Sequence, residues 1–224
     1  MRAACLRVGR CPQEVTLVVV TKTRSTAEIV AAYRAGARHL GENRVEELAE
    51  KRPGLKSDLP EVTWHMIGHL QSRKAREAVD LADWVHSVDT LKLAIRLDRF
   101  ATEAGRVLPV FLELNVSGEE TKAGFPAATP AQCEALVAEL QGLRELTHLS
   151  VRGLMTMAPI VPHPEEARPT FAALRAFRDR LRQEAPWCPW NDLSMGMTDD
   201  YPVAIEEGAT CIRVGRAIFA ATRV

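Results

Sequence analysis

Three features of this 224-residue chain have the residue types and spacing to do chemistry: a lysine, two glycine-bearing loops and an arginine. Lys22 directly follows residues 15–21 (VTLVVVT), an apolar run with no charge in it. An ammonium leaving an apolar wall is poorly solvated; desolvation lowers its pKa and makes the amine nucleophilic. The same lysine could instead pair with Glu42 at the end of a neighbouring strand, and position alone does not separate the two. Residues 194–200 (SMGMTDD) and the pair Gly215-Arg216 each lead from an apolar run into a helical stretch. Glycine lets backbone N–H groups approach phosphate oxygens, and Ser194 and Thr198 add hydroxyl donors. Ordinary turns capped by Ser, Thr and Asp have the same composition. Arg213 stands two residues before Gly215, so strand alternation puts both on one side. An inward guanidinium needs an acceptor. A pyridine nitrogen would serve, and so would the carboxylate of Glu42, Glu113 or Asp89.

These residues need elements to bring them together. Short β-branched runs alternate with helical stretches to the end of the chain. Strands are expected at 15–21, 38–41, 62–67, 83–88, 108–116, 149–155, 192–195 and 210–214. Helices are expected at 25–35, 43–51, 72–80, 90–104, from near 130, 164–184, 199–207 and 216–221. Ser25 is a natural N-cap and Gly36 a natural helix stop; Pro53-Gly54 closes the second of these helices. A first helix before Pro12 looks short. Eight strand–helix units favour a single (β/α)8 TIM-type barrel over residues 1–224 rather than an open sheet. Such barrels carry their reactive groups at the C-terminal ends of the strands and often bind phosphate with the loops after strands seven and eight. Lys22, Ser194, Gly196 and Gly215 all fall at those ends.

A lysine amine and a phosphate cradle in one barrel mouth point to pyridoxal 5′-phosphate (PLP) or to a sugar-phosphate enzyme of the aldolase type. Arg213 favours PLP, because a pyridine nitrogen accepts its hydrogen bond. Composition narrows the rest. Lys+Arg and Asp+Glu are both 29, so the net charge is zero and no nucleic-acid partner is expected. Five cysteines without a CxxC read as reduced thiols, and no apolar run is long enough to span a membrane. A cytoplasmic protein is expected. His65 and His69 are too few for a metal site and read as core or rim residues. Met155, Met157, Met195 and Met197 fall near strand ends, where they could wall an aromatic ring.

Eight ordered segments carry a resemblance: VVVTKT (18–23), HLGENRVEE (39–47), WHMIGHLQSRK (64–74), VHSVDTLKLA (85–94), ELNVSGEETKAGF (113–125), VRGLMTMAP (151–159), LSMGMTDDYPVAI (193–205) and IRVGRAIFA (212–220). The chain resembles the pyridoxal phosphate homeostasis protein family, whose fold is similar to the alanine racemase N-terminal domain. The resemblance implies that Lys22 is the Schiff-base lysine, with Asn43 beside the cofactor ring and Met155 near its other side. It implies phosphate contacts from Ser194, Gly196, Met197, Thr198, Gly215 and Arg216, and places Arg213 at the pyridine nitrogen. It also implies a carrier or regulator of PLP, linked to vitamin B6 and amino-acid pools, rather than an enzyme with a known substrate. Three positions depart from the family pattern: Thr21 where Ser is common, Arg73 where Asn is frequent, and Arg216 where Thr or Ser is usual. The Arg216 side chain is expected to swing out to Asp199, Asp200 or solvent, because the turn is tight and a cation at a helix N-terminus is mildly unfavourable.

Two functions follow. One is a PLP-binding homeostasis protein that supplies or buffers the cofactor, with PLP-dependent apo-enzymes as candidate partners, with no turnover of its own and as a monomer rather than a dimer. The other is a small PLP-dependent amino-acid racemase. Racemisation needs an acid/base on each face of the substrate carbon. Lys22 could serve one face, and of the two tyrosines, Tyr33 and Tyr201, only Tyr201 follows a strand near the site.

Overall fold

A computed structural model describes residues 1–219. Eight parallel strands close into a barrel: β1 (Thr16–Val20), β2 (His39–Glu42), β3 (Thr63–Met66), β4 (Trp84–Val88), β5 (Leu108–Asn115), β7 (Leu149–Met155), β8 (Asp192–Ser194) and β9 (Cys211–Val214). They pair in that order, β4 joins β5, and the β1–β9 ladder closes the ring. A two-residue strand, β6 (Phe125–Pro126), adds to the edge of β5. The helices are α1 (Arg2–Arg7), α2 (Thr26–Arg34), α3 (Val45–Leu55), α4 (Ala75–Leu81), α5 (Leu91–Glu103), α6 (Pro130–Leu140), α7 (Arg168–Glu184), α8 (Tyr201–Glu206) and α9 (Arg216–Phe219). The helix expected at 216–221 ends on residues outside those described. Among the described residues no helix is long and apolar enough to cross a membrane.

Alternation along the strands explains the layers. Val19, Leu40 and Leu193 point outward and join the apolar faces of the helices in one large core. Val18, Ile67 and Cys211 form a separate small cluster within the barrel. The helix starts follow their caps. Ser25 accepts from the Glu28 N–H while the Glu28 carboxylate accepts from the Ser25 N–H at 2.8 Å, a reciprocal capping box. Thr90 caps α5 by accepting from the Leu93 N–H, without a reciprocal partner.

Two elements differ from expectation. The helix expected at 43–51 begins later and runs through Pro53 to Leu55. Proline in the last turn removes one backbone hydrogen bond, about 1 kcal/mol. Burial of Leu55, at 1 % exposure, contributes about 2 kcal/mol and carries the helix on. Strand β6 has no sequence signal of its own. It forms because Asn115 ties the loop after β5: its Nδ2 donates to the Glu119 carbonyl at 2.8 Å and its Oδ1 accepts from the Gly118 N–H at 3.0 Å.

Ring closure also needs one close approach. At Gly153 in β7, a Cβ would lie 1.8 Å from the Asp192 carbonyl oxygen of β8. Gly153→Ala is therefore expected to destabilise the barrel by about 2 kcal/mol or more, lowering the thermal midpoint by about 4–8 °C. A circular-dichroism melt checks this.

Candidate functional site

The turn that carries Lys22 is held from both sides. Thr21 is fully buried; its N–H donates to the Gly41 carbonyl at 2.9 Å and its hydroxyl to Glu42 Oε1 at 2.6 Å. Lys51 of α3 reaches in with Nζ, donating to the Thr21 carbonyl at 2.9 Å, to Glu42 Oε1 at 2.8 Å and to Glu47 Oε2 at 2.7 Å. Glu47 Oε2 also accepts the Thr23 N–H at 2.8 Å. Thr23 has φ +60, a left-handed conformation that a β-branched residue rarely adopts and that costs on the order of 1–3 kcal/mol. Burial pushes the Glu42 carboxyl up, against the pull of Lys51 and Thr21. Desolvation works against the Lys51 ammonium too, but its two carboxylates outweigh it and hold the pKa above the ordinary lysine value.

Lys22 lies between these anchors. Its side chain is exposed, so the apolar strand does not bury it as its position in the sequence led one to expect. The pairing with Glu42 that sequence allowed is taken by Lys51. Among the described residues Lys22 has no hydrogen-bond or ion-pair partner.

Arg213 is 4 % exposed. Its Nη1 donates to Ser194 Oγ at 2.6 Å and its Nη2 to the Thr156 carbonyl at 2.9 Å. None of the three carboxylates considered from sequence makes an ion pair with it: Glu42 is bound to Lys51, Asp89 meets His69 Nδ1 at 3.1 Å, and Glu113 makes no contact of that length. The Arg213 N–H donates to the Gly196 carbonyl at 2.9 Å, which joins strand β9 to the loop after β8. Ser194 is fully buried, and its hydroxyl meets His86 Nδ1 at 2.9 Å as well as Arg213. It thus supports the guanidinium from inside the barrel.

The two loops lie on the same side of the mouth. Gly196 has φ +94, and a Cβ there would meet Ala204 Cβ at 2.6 Å, so glycine lets α8 pack directly against the loop. The Met197 N–H donates to Asp200 Oδ1 at 2.6 Å, and is thereby occupied within the chain. Burial raises the pKa of Asp200. Thr198 is half-buried beside it. At Gly215 a Cβ would lie 3.2 Å from both Val20 Cβ and the Val20 carbonyl oxygen, so the end of β9 abuts the end of β1, next to Lys22. The Arg216 guanidinium swings out to the Asp199 carboxylate, both largely exposed, as expected.

The remaining site residues are more scattered. Met155 is buried and pairs in register with Glu113 on one side and Ser194 on the other. Met195 belongs to the core between sheet and helices, and Met157 is exposed. The methionines therefore do not form one wall; Met195 faces outward by strand alternation. Asn43 is half-buried, with its carbonyl against Gly68. A groove of about 510 Å³ starts there and runs over His69, Gln71, Arg73 and Lys74, away from Lys22 and Arg213. Four groups that order the site, Lys51, Glu47, Thr156 and His86, did not stand out from the sequence.

Glu113 is 3 % exposed in β5. Burial pushes its pKa up to about 7, against the pull of Arg213 and with the repulsion of Asp89. A carboxyl that binds its proton more tightly when folded adds stability at low pH. That contribution is complete below pH 4.5 and is lost as the pH rises towards 7. Glu113→Gln should remove this slope, worth on the order of 3 kcal/mol across the window. Urea unfolding of parent and variant at pH 5 and pH 8 measures the difference.

The family model for the alanine racemase N-terminal domain matches residues 6–223. A pyridoxal phosphate homeostasis protein from Synechocystis sp. is 38% identical over 212 residues, covering 95% of this chain and 94% of that protein. The structure of PipY from Synechococcus elongatus PCC7942 with PLP bound superposes with a TM-score of 0.85 at 45% identity, covering 98% of each chain. Alanine racemase from Clostridium difficile 630 in complex with cycloserine superposes at 0.73 with 12% identity, covering all of this chain and 59% of that one, a likeness of fold alone. A parallel barrel with an exposed lysine after its first strand, matched nearly end to end by the Synechocystis and Synechococcus relatives, belongs to the pyridoxal phosphate homeostasis protein family, built on the alanine racemase N-terminal-domain fold.

Proposed function

We propose that this chain binds PLP as a Schiff base on Lys22 and serves as a carrier that supplies or buffers the cofactor, acting as a cytoplasmic monomer without turnover of its own. The observation that carries the reading is Arg213: a buried guanidinium held by a hydroxyl and a carbonyl, with no carboxylate in ion-pair contact among the described residues. A buried cation with donors to spare fits a neutral ring acceptor. The relative with PLP bound supports the same cofactor.

When bound, PLP supplies an electrophilic aldehyde and an electron-withdrawing ring. Lys22 would hold the cofactor through its amine, which is the group at this strand end able to bond to an aldehyde. Lys51, Glu42 and Glu47 hold the turn, and among the described residues the Lys22 amine has no competing partner. The backbone of Gly196, Thr198 and Gly215, with the Thr198 hydroxyl, offers donors to the phosphate group. Met197 and Arg216 contribute to the loop scaffold, since the Met197 N–H is bonded to Asp200 and the Arg216 side chain to Asp199. Asn43 and Met155 would flank the ring.

Two features favour a carrier over a racemase. A guanidinium keeps its proton, so Arg213 hydrogen-bonds a ring nitrogen without protonating it, and an unprotonated pyridine is a poor electron sink. Tyr33 and Tyr201 both pack against the core between sheet and helices, where neither is set to act as a second acid/base. PLP-dependent apo-enzymes are the natural recipients.

Borohydride reduction of the PLP-loaded protein followed by peptide mapping should find pyridoxyl on Lys22. Label mainly on Lys74 or Lys122 overturns the assignment. Lys22→Ala should lose the absorbance of the bound cofactor while retaining weak binding through the phosphate loops. The loaded protein should show no steady racemase or decarboxylase turnover on common amino acids; turnover that disappears in Lys22→Ala would replace the carrier by an enzyme.

A further inference from the structure

Three histidines from consecutive strands stand in one hydrogen-bonded row inside the barrel. His39 Nδ1 is 3.0 Å from His65 Nε2, and His65 Nδ1 is 2.9 Å from His86 Nε2. His86 Nδ1 is 2.9 Å from Ser194 Oγ, which accepts from Arg213 Nη1 at 2.6 Å. The far end opens on a cavity of about 120 Å³ lined by Thr16, His39, Trp84, Asp192 and Cys211, each the first residue of its strand. The row therefore crosses the barrel from its N-terminal end to Arg213.

Burial keeps these rings neutral. His65 and His86 are 3 % and 0 % exposed; the pKa of His65 is pushed down to about 3 and that of His86 well below the ordinary value. Burial lowers His39 too. A neutral imidazole has one N–H donor and one acceptor nitrogen, so the row must run one way. Suppose the Ser194 proton goes to His86 Nδ1. His86 Nε2–H then donates to His65 Nδ1, His65 Nε2–H donates to His39 Nδ1, and His39 Nε2–H faces the lower cavity. Every buried imidazole and hydroxyl donor of the row then finds an acceptor. The opposite direction leaves the hydroxyl proton of fully buried Ser194 only the neighbouring Cys211 sulfur, a much weaker acceptor than an imidazole nitrogen. With the favoured direction, every hydrogen-bond dipole turns its negative end towards Arg213, and neighbouring bonds polarise one another in the same sense.

We propose that His39, His65 and His86 are positioning residues: a column of Nε2–H imidazoles that fixes the Ser194 hydroxyl and stabilises the Arg213 charge in place of a carboxylate. A carboxylate would engage the guanidinium by two parallel bonds and neutralise it. The column uses one N–H and the Thr156 carbonyl a second, which leaves three of the five donors free for a ligand. This deepens the function proposed above and rests on Arg213 meeting the cofactor ring.

The test reads the column without the cofactor. Long-range ¹H–¹⁵N correlation spectra of the unloaded, ¹⁵N-labelled chain at pH 7.5 should show His65 and His86 protonated on Nε2 and bare on Nδ1. Ser194→Ala should mix the tautomers of both rings in a chain that keeps its circular-dichroism spectrum, and weaken PLP binding about tenfold. His39→Leu removes the terminal acceptor and should disturb His65 and His86 in the same way, with about a fivefold loss of PLP affinity. His39→Gln supplies an amide oxygen to His65 Nε2–H and should restore both the parent pattern and the parent affinity. Nδ1-protonated rings in the parent overturn the proposal, as do tautomers indifferent to Ser194→Ala and His39→Leu, or affinities that ignore the tautomers. An intact tautomer pattern, disturbed and restored by these variants in a chain that takes up no PLP, upholds the column and rejects the cofactor reading.

Discussion

A guanidinium keeps its proton at any ordinary pH, so Arg213 is a full positive charge inside the barrel whatever surrounds it. Much of the interior answers to that constraint. Its contacts are a hydroxyl and a carbonyl, neither of which cancels the charge. The histidine behind the hydroxyl is kept neutral by burial. Glu113, which with Asp200 is one of two buried carboxyls that feel the Arg213 charge, is pushed up to about 7 by its own burial and so is only partly ionised near neutrality. A polar interior of this kind would be a liability in a purely structural barrel, where branched aliphatic side chains usually fill the layers. Here it leaves a charged guanidinium with donors to spare.

The lysines divide the opposite task between them. Lys51 absorbs both acidic side chains near the first strand end, and Lys22 is left without a partner among the described residues. Ion-pair formation and nucleophilic chemistry compete for the same amine, because a paired ammonium is not a nucleophile. Assigning the two roles to different residues removes the competition. The same helix that carries Lys51 also carries Glu47, so one element supplies both anchors of the lysine turn.

The fold was readable because its signals are local. The run at 149–155 coincides with β7, and Ser25 caps its helix as its type and spacing require. Lys22 at a strand end follows from the apolar run before it, and Arg213 on the side of Gly215 follows from alternation. The parts that were not readable depend on register between distant segments. His39, His65 and His86 are separate single residues until β2, β3 and β4 set them side by side. Lys51 looks like any charged residue on a helix face, and only the packing of α3 against the ends of β1 and β2 reveals what it grips. The burial of Leu55, which carries α3 past Pro53, is likewise a tertiary effect that helix propensity cannot express.

The strained Thr23 turn has a consequence for local unfolding. Its amide belongs to an exposed loop, which ordinarily exchanges hydrogen with solvent quickly. This amide is bonded to a carboxylate on a neighbouring helix rather than to its own strand. Its protection is therefore set by the opening of α3, and the loop at the end of β1 shares a cooperative unit with a helix three elements further along the chain. Once α3 frays, the left-handed threonine loses an anchor and relaxes, and the lysine beside it loses its aim. The free energy that keeps the amine in place is thus the opening free energy of a surface helix, which is smaller than that of the barrel as a whole.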